Sequence, residues 1–429
     1  MTDARQAQDD SATPLSGASA DAPTAPAPAP VPLLGLSDGL PPIIETPEAL
    51  AEVAAALEAG TGPLAVDAER ASGYRYSARA YLVQVRRQGS GTALVDPIAF
   101  EDVDPLARAL DGPEWILHAA SQDLPCLTQI GLRPTTLFDT ELAGRLLGYP
   151  RVGLATLVEE ILGHRLRKEH SAVDWSTRPL PEPWLEYAAL DVEPLVDLRE
   201  ALKEQLLEAD KWGWAEEEFT HLLSMPRPEP RPEPWRRTSG LHRVRGRRAL
   251  AAVRALWQAR DEIAERRDVT PGRLIPDSAI VEAAVAAPRD RATLLGLRGF
   301  HGRGAQRYVT TWLDALREAR ELPDRELPAA AARYDGPPPP RAWAEKDPAA
   351  AARLSQSRTA LIDLAKQLNL PVENLLTPDY VRRLLWQPPE GADQDQAVVD
   401  QVLRDYGARS WQVGLTSTIL ATAIAEHPS

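Results

Sequence analysis

At 429 residues the chain has room for about three folded units, and its 44% apolar and 26% charged residues suit ordinary globular cores. A single cysteine, Cys126, excludes a disulfide scaffold and Cys-based zinc sites, and no run of about 18 apolar residues offers a membrane span. The net charge of −14 argues against nucleic acid only in sum, because 43 of the 48 basic residues are arginines, whose planar forks suit phosphate.

Forty prolines point to linkers and a tail. Residues 1–40, with the repeat DAPTAPAPAPVP at 21–32, read as a disordered Pro/Ala-rich tail. The opening MTDARQAQDD has neither the basic nor the apolar region of a secretory signal, so a cytoplasmic location is expected. From 41 the texture changes. TPEALAEVAAALEAG predicts a helix with a threonine cap and a proline at its first position. Three short strands follow at 63–69, 80–85 and 92–97, separated by glycine-bearing loops, as in an antiparallel meander. Next come a helix at 101–110, a strand at 114–120, a helix over SQDLPCLTQIG, a strand at 136–140 and helices to about 222. This block, 41–222, is a mixed α/β domain.

PRPEPRPEP marks a stiff linker at 223–240, and 241–322 is helical throughout. A second Pro-rich linker at 323–345 contains GPPPP and leads to a helical block at 346–429. RDEIAERRDVTPGRLIPD (260–277) and RTALIDLAKQLNLPVENLLTPD (358–379) are alike, which predicts a duplicated helical module.

Within the α/β block, Asp67 and Glu69 share one strand face while Leu64, Val66 and Ala68 take the other. Paired carboxylates repel unless a cation holds them, and hard oxygen ligands suit Mg²⁺ or Mn²⁺. Asp-x-Glu alone carries little weight: Asp191 and Glu193 repeat it in a helical pattern, where such a pair does not share a face. Asp123 follows an apolar strand at the start of a helix, where a carboxylate also caps amides. His118, nearby, reads equally as a core histidine or a substrate contact. Tyr187 and Asp191 are one helical turn apart, presenting a phenol and a carboxylate on one face; a half-buried structural tyrosine fits that spacing too.

Taken in order, these elements resemble the DEDD superfamily of 3′→5′ exonucleases in its tyrosine-bearing subgroup, and most closely the ribonuclease D family. HAASQDL, LFDTELAGRLLGY, DWSTRPL and YAALDVEPL look like that family's surroundings for its motifs. The resemblance covers about 41–222. It implies a ribonuclease H-like fold and two-metal phosphodiester hydrolysis, with Asp67, Glu69, Asp123 and Asp191 holding two Mg²⁺ (or Mn²⁺) ions, Asp67 bridging them, and Tyr187 orienting the attacking water. It also implies release of nucleoside monophosphates from the 3′ end. The stretch ERASGYRYSARAYLVQV departs from the family's usual wording. Its Arg75, Arg79 and Gln84 are candidates to touch the terminal nucleotide, and Gln84 reads equally as a hydrogen-bonder within the sheet.

Residues 243–322 resemble the HRDC domain, through LWQARDEIAERRDVTPGRLIPDSAIVEAA and LLGLRGFHGRGAQRY, with Leu256, Ile263, Leu274, Ile280 and Val281 as core. Arg236, Arg237, Arg243, Arg245, Arg247 and Arg248 crowd its entrance, and Arg298, Arg303 and Arg307 flank a glycine-rich turn. Such a cluster is a nucleic-acid surface or an ordinary solvated face. The block at 346–429 reads as a second, degenerate HRDC-like domain that packs on the nuclease and frames the approach of RNA. No lysine follows a glycine, so a P-loop ATPase is excluded, and H-E-x-x-H does not occur. The expected protein is a cytoplasmic, monomeric, magnesium-dependent 3′→5′ exoribonuclease acting on structured RNA such as tRNA precursors, with no nucleoside triphosphate cofactor. DNA is the alternative substrate. A non-catalytic RNA-binding adaptor is the alternative class, weakened by the presence of all five site residues.

Overall fold

The helix Pro47–Ala59 begins where Thr46 accepts the Ala49 amide and Pro47 supplies a helical φ. It opens a domain built on six strands, seen in a computed structural model that describes residues 31–167, 170, 172–225, 231–331 and 336–428. The strands are β1 (Ile43–Ile44), β2 (Thr61–Arg70), β3 (Ala80–Gln88), β4 (Gly91–Val95), β5 (Glu114–Leu117) and β6 (Thr136–Asp139), in the order β1-β4-β3-β2-β5-β6. β2, β3 and β4 form the expected antiparallel meander, whereas β1 joins β4, β5 joins β2, and β6 joins β5 in parallel. Gly89 and Gly91 have positive φ and turn the chain tightly from β3 into β4.

The sheet is covered on both faces. Leu64, Val66 and Ala68 of β2 pack into a core with the helices Pro47–Ala59, Asp104–Ala109 and Leu124–Gln129. Ala65 points the other way and joins Ile116 and Phe138 in a second core. The predicted strand at 114–120 stops at Leu117, because the buried Asp139 carboxylate accepts the amides of Ala119 (3.1 Å) and Ala120 (2.9 Å) and draws them into a turn. The same carboxylate caps the helix Thr140–Leu147 through the amides of Glu141 and Leu142.

The second core contains far more than nuclease residues. Helices Pro348–Gln367, Pro378–Trp386, Gln396–Asp405 and Ser410–Glu426 bury Leu361, Leu384, Leu403, Leu420 and Ile424 in the same cluster as Phe138, Leu198 and Phe219. The C-terminal block therefore completes the nuclease domain. Polar contacts fix the joint. The buried Lys211 ammonium donates to Leu146 O (2.6 Å), Leu368 O (2.6 Å) and Asn369 O (3.2 Å), tying together the last carbonyls of two helices. Arg409 donates to Glu218 Oε1 at 2.7 Å, and the Trp411 indole donates to the same oxygen at 3.1 Å.

The intervening module is separate, with its own core around Leu256, Ile263, Ile280, Phe300 and Trp312. Trp235 is buried in it, so the second half of the stretch read as linker belongs to the module; residues 226–230 and 332–335 lie outside those described. The N-terminal expectation changes likewise. Residues 1–30 lie outside those described, but 31–40 are docked: Leu34 N donates to Arg165 O, Asp38 pairs with Arg86, and Leu36 and Leu40 pack on the domain. The leucines of PLLGLSDGL supply the apolar surface that the Pro/Ala repeat lacks. No helix among the described residues is long and apolar enough to cross a membrane.

Candidate active site

β2 lies between β3 and β5 in the sheet: Asp67 is opposite Gln84 and Glu69 opposite Leu82 of β3, while β5 runs parallel on the other side. Asp123 arrives just beyond β5, between the turn Ala120–Gln122 and the helix Leu124–Gln129. It makes no side-chain capping bond there, so the capping reading of Asp123 is not the one the structure takes. Across the face carrying Asp67 and Glu69 lies the helix Glu182–Val192, which approaches closely because Ala188 and Ala189 are what it turns toward Leu82 and Leu94. That approach places Tyr187 and Asp191 over the strand, close enough for the Asp191 charge to raise the Tyr187 phenol.

Carboxylate oxygens of Asp67, Glu69 and Asp191 lie within 4.8 Å of one another. With Asp123 and Tyr187 they line one cleft of about 390 Å³. The second Asp-x-Glu divides as helical geometry requires: Glu193 turns away to pair with Arg86 at 3.2 Å. Trp175 holds the outer side of Tyr187, its ring 6.4 Å from the phenol and 5.7 Å from Trp184. Arg178 anchors that loop on Asp96 with two bonds of 2.5 and 2.8 Å.

Electrostatics make the cluster unstable as four bare anions. Burial pushes Asp67 up to about 6. Burial, then the charges of Asp67, Asp191 and Asp123, push Glu69 up to about 10. Burial and the charge of Asp67 push Asp123 up to about 8, and burial raises Asp191 well above the usual carboxylate range. Tyr187 is raised too, by burial and then by Asp191 and Glu69, so its phenol keeps its proton. An all-oxygen, anionic, half-buried donor set of this kind fits a hard divalent cation. His118 lies in the same cleft with Nδ1 2.9 Å from Thr140 Oγ1, and burial lowers it to about 4, so it is neutral at physiological pH.

The raised carboxyls give stability a definite pH dependence. A group whose folded value lies above its ordinary one favours the fold when protonated. Its contribution is full below the ordinary values near 4 and is lost as pH rises through the folded values of about 6 to about 10. In EDTA the melting temperature is therefore expected to fall across that window, and Mg²⁺ or Mn²⁺ to restore it most at the alkaline end. An EDTA profile that is flat, or unchanged by metal, would contradict the cluster's role.

Family comparisons agree with this geometry. Residues 41–207 match a family described as 3′-5′ exonuclease, 249–316 the HRDC domain, and 336–424 a 3′ to 5′ exonuclease C-terminal domain. The ribonuclease D of Acidiphilium cryptum is 33% identical over 309 residues, covering 70% of this chain and 77% of that protein. That of Gluconacetobacter diazotrophicus is 34% identical over 283 residues, covering 64% of this chain and 71% of the relative. For the Granulibacter bethesdensis ribonuclease D, 36% identical over 247 residues, the match covers 55% of this chain and 61% of the relative.

The chain belongs to the ribonuclease D family. Solved structures extend the match to nearly the whole fold. A protein from Bifidobacterium adolescentis aligns with a TM-score of 0.83 at 37% identity, covering 92% of this chain and all of that one. Escherichia coli RNase D, described as an exoribonuclease involved in structured RNA processing, aligns with a TM-score of 0.65 at 26% identity, covering 90% and 99%. The expected fold class is a ribonuclease H-like mixed sheet with flanking helices followed by two HRDC-like helical domains. The mixed sheet, the HRDC domain and a helical C-terminal region are found, and that last region matches the exonuclease C-terminal domain. As a ribonuclease D family member the chain is a 3′→5′ exonuclease.

The candidate nucleotide contacts fare differently. Gln84 is fully buried in the sheet and cannot touch a nucleotide; its amide finds no hydrogen-bond partner among the described residues. Arg75 donates to Ser176 Oγ at 2.7 Å, and Arg79 lies over the Tyr81 ring; neither lines the cleft. The departure from family wording at 70–81 has another cause: this loop is the docking surface for the HRDC domain. Tyr76 donates to Asp261 at 3.1 Å, Ser77 N to Asp268 at 2.9 Å, Thr270 N to Tyr74 O at 3.0 Å, and Arg273 stacks 4.2 Å from the Tyr74 ring. In the HRDC domain, Arg247 is engaged with the carbonyls of Asp324, Leu327 and Pro328, so it clamps the module's own chain. Arg243, Arg245, Arg298, Arg303 and Arg307 are exposed. Two residues, Arg70 in the cleft and Asp139, which holds the turn that leads to Asp123, carry no clear signal in the sequence. Asp139 is visible only as part of LFDTELAGRLLGY, and Arg70, beside the first motif, belongs to no periodic pattern.

Proposed function

We propose that this ribonuclease D family member is a cytoplasmic, divalent-metal-dependent exoribonuclease that trims structured RNA such as tRNA precursors from the 3′ end, releasing nucleoside monophosphates. The observation that carries the reading is the convergence of four carboxylates, Asp123 buried and the other three half-buried, from three separate stretches of chain on one cleft that no set of anions would occupy unaided. Asp67, Glu69, Asp123 and Asp191 would hold two Mg²⁺ or Mn²⁺ ions, which when bound make water more acidic and offset charge developing at the phosphate. Tyr187, kept protonated beside Asp191, acts as a hydrogen-bonding guide for the attacking water and not as its base. Neutral His118 can serve the substrate only as a hydrogen-bonding group.

RNA is favoured over DNA by the relatives, which are named ribonuclease D, and by the Escherichia coli neighbour's description. The exposed arginines of the HRDC domain suit the phosphate backbone leading to the cleft. Charge reversal at Arg298 and Arg303 is expected to weaken RNA binding and to flatten the dependence of log K on log salt by roughly one for each phosphate that is no longer neutralised. An unaltered slope would remove these arginines from the interface.

The deciding experiment is digestion of a 5′-labelled RNA and its matched DNA, each with Mg²⁺ and with EDTA. A ladder shortening by single nucleotides on RNA and absent in EDTA is the expected result. A stronger ladder on DNA would replace the substrate, and RNA retention without any ladder would leave only a binding protein.

A further inference from the structure

The acidic cleft contains a cation of the chain's own. Arg70 follows Glu69 at the end of β2, where the register with β3 slips: Glu69 faces Leu82, but Arg70 faces Ala80. Freed there from strict alternation, Arg70 lines the same cleft as Asp67, Glu69, Asp123, Tyr187 and Asp191. Its Nη2 lies 3.4 Å from Asp123 Oδ1, and its side chain is 29% exposed. No other ion pair or hydrogen bond engages its guanidinium among the described residues, and no other arginine or lysine lines the cleft.

A guanidinium offers five donors in a fixed plane, and its nearest approach to Asp123, 3.4 Å, is longer than a charge-assisted hydrogen bond. Arg70 lines the cleft in which a phosphodiester must lie to meet the carboxylates, so its partly exposed donors are available to that substrate. We infer that Arg70 is a substrate-contacting residue: it is the counter-ion of Asp123 while the cleft lacks dications, and it donates to the non-bridging oxygens of the scissile phosphate once substrate is in place. The inference rests on the metal-dependent reading above. It assigns to one side chain two opposed effects. A fixed positive charge beside a metal ligand opposes dication binding. The same charge, with its planar donors, favours the extra negative charge of the phosphoryl transition state.

Arg70→Gln separates the two. In the substrate-free protein, Mn²⁺ titration followed by electron paramagnetic resonance is expected to show several-fold tighter binding than wild type. At saturating Mg²⁺ the same variant is expected to lose about a hundredfold in kcat/KM on labelled RNA. Arg70→Lys keeps the charge but not the fork, and is expected to restore metal affinity to the wild-type level while recovering only part of kcat/KM. Wild-type kcat/KM in an Mn²⁺-binding Arg70→Gln variant would overturn the inference alone, leaving Arg70 a counter-ion. Weaker Mn²⁺ binding in that variant would overturn it too, by tracing the lost activity to a damaged metal site. No Mn²⁺ binding to the wild type would overturn the metal reading and this inference together.

Discussion

Asp67→Asn and Asp191→Asn are each expected to reduce turnover by roughly three orders of magnitude or more while making the metal-free protein more stable. The two effects share one cause. Asp67 is the carboxylate whose charge raises Glu69, Asp123 and Asp191 alike, so it is the electrostatic centre of the cluster. An asparagine of the same shape removes that charge, relieves the other three groups and weakens their hold on a dication. Single-turnover digestion of labelled RNA and thermal unfolding in EDTA measure the two halves separately. Unchanged turnover would discard the site assignment; a lower melting temperature in EDTA would show that the charge was not the destabilising element.

Arg409→Ala is expected to cost roughly 3–5 kcal/mol, a large effect for a residue outside the cleft. Side chains of Arg409 and Glu218 are 14% and 8% exposed, and their 2.7 Å bond spans the joint between the nuclease helices and the C-terminal block. Glu218 also takes the Trp411 indole proton, and Trp411 stacks on Trp214 at 4.8 Å with the planes 11° apart. Deleting the guanidinium leaves Glu218 buried with too few donors, and burial already raises its pKa. Replacing both partners with methionine should cost much less than the single change, because no unpaired charge remains. Urea unfolding measures both, and a loss below about 1 kcal/mol for Arg409→Ala would place the pair among weak surface bridges.

Legibility of the chain divides by the range of the signal. The period of two in PLAVDAE puts Asp67 and Glu69 on one face and Leu64, Val66 and Ala68 on the other, as found. The spacing of Tyr187 and Asp191 places them one turn apart on a helix. What failed depended on partners distant in sequence. Gln84 and Arg247 look like free polar groups because nothing local reveals a covering helix or the carbonyls at 324–328. The Asp123 capping position is plausible locally, but its side chain faces the cleft instead. The apolar stripes of Pro348–Gln367 and Ser410–Glu426 announce burial, and an amphipathic pattern is the same whether the helix closes its own module or another domain's sheet.

The shared core has a consequence for the newborn chain. The nuclease helices that cover Ile116 and Phe138 share their core with residues lying between Trp343 and Ile424, while the last nuclease helix ends at Ser224. At about 5–20 residues per second, the roughly 200 residues in between keep the ribosome occupied for about 10–40 s. During that interval the helix Trp212–Ser224 lacks the partner that Trp411 and Arg409 supply in the finished fold, leaving Trp214 without its stacking ring and Glu218 without its donors. A message truncated before codon 343 would therefore yield sticky, chaperone-dependent polypeptide and not a smaller nuclease, so that completing translation is itself a condition for a soluble enzyme.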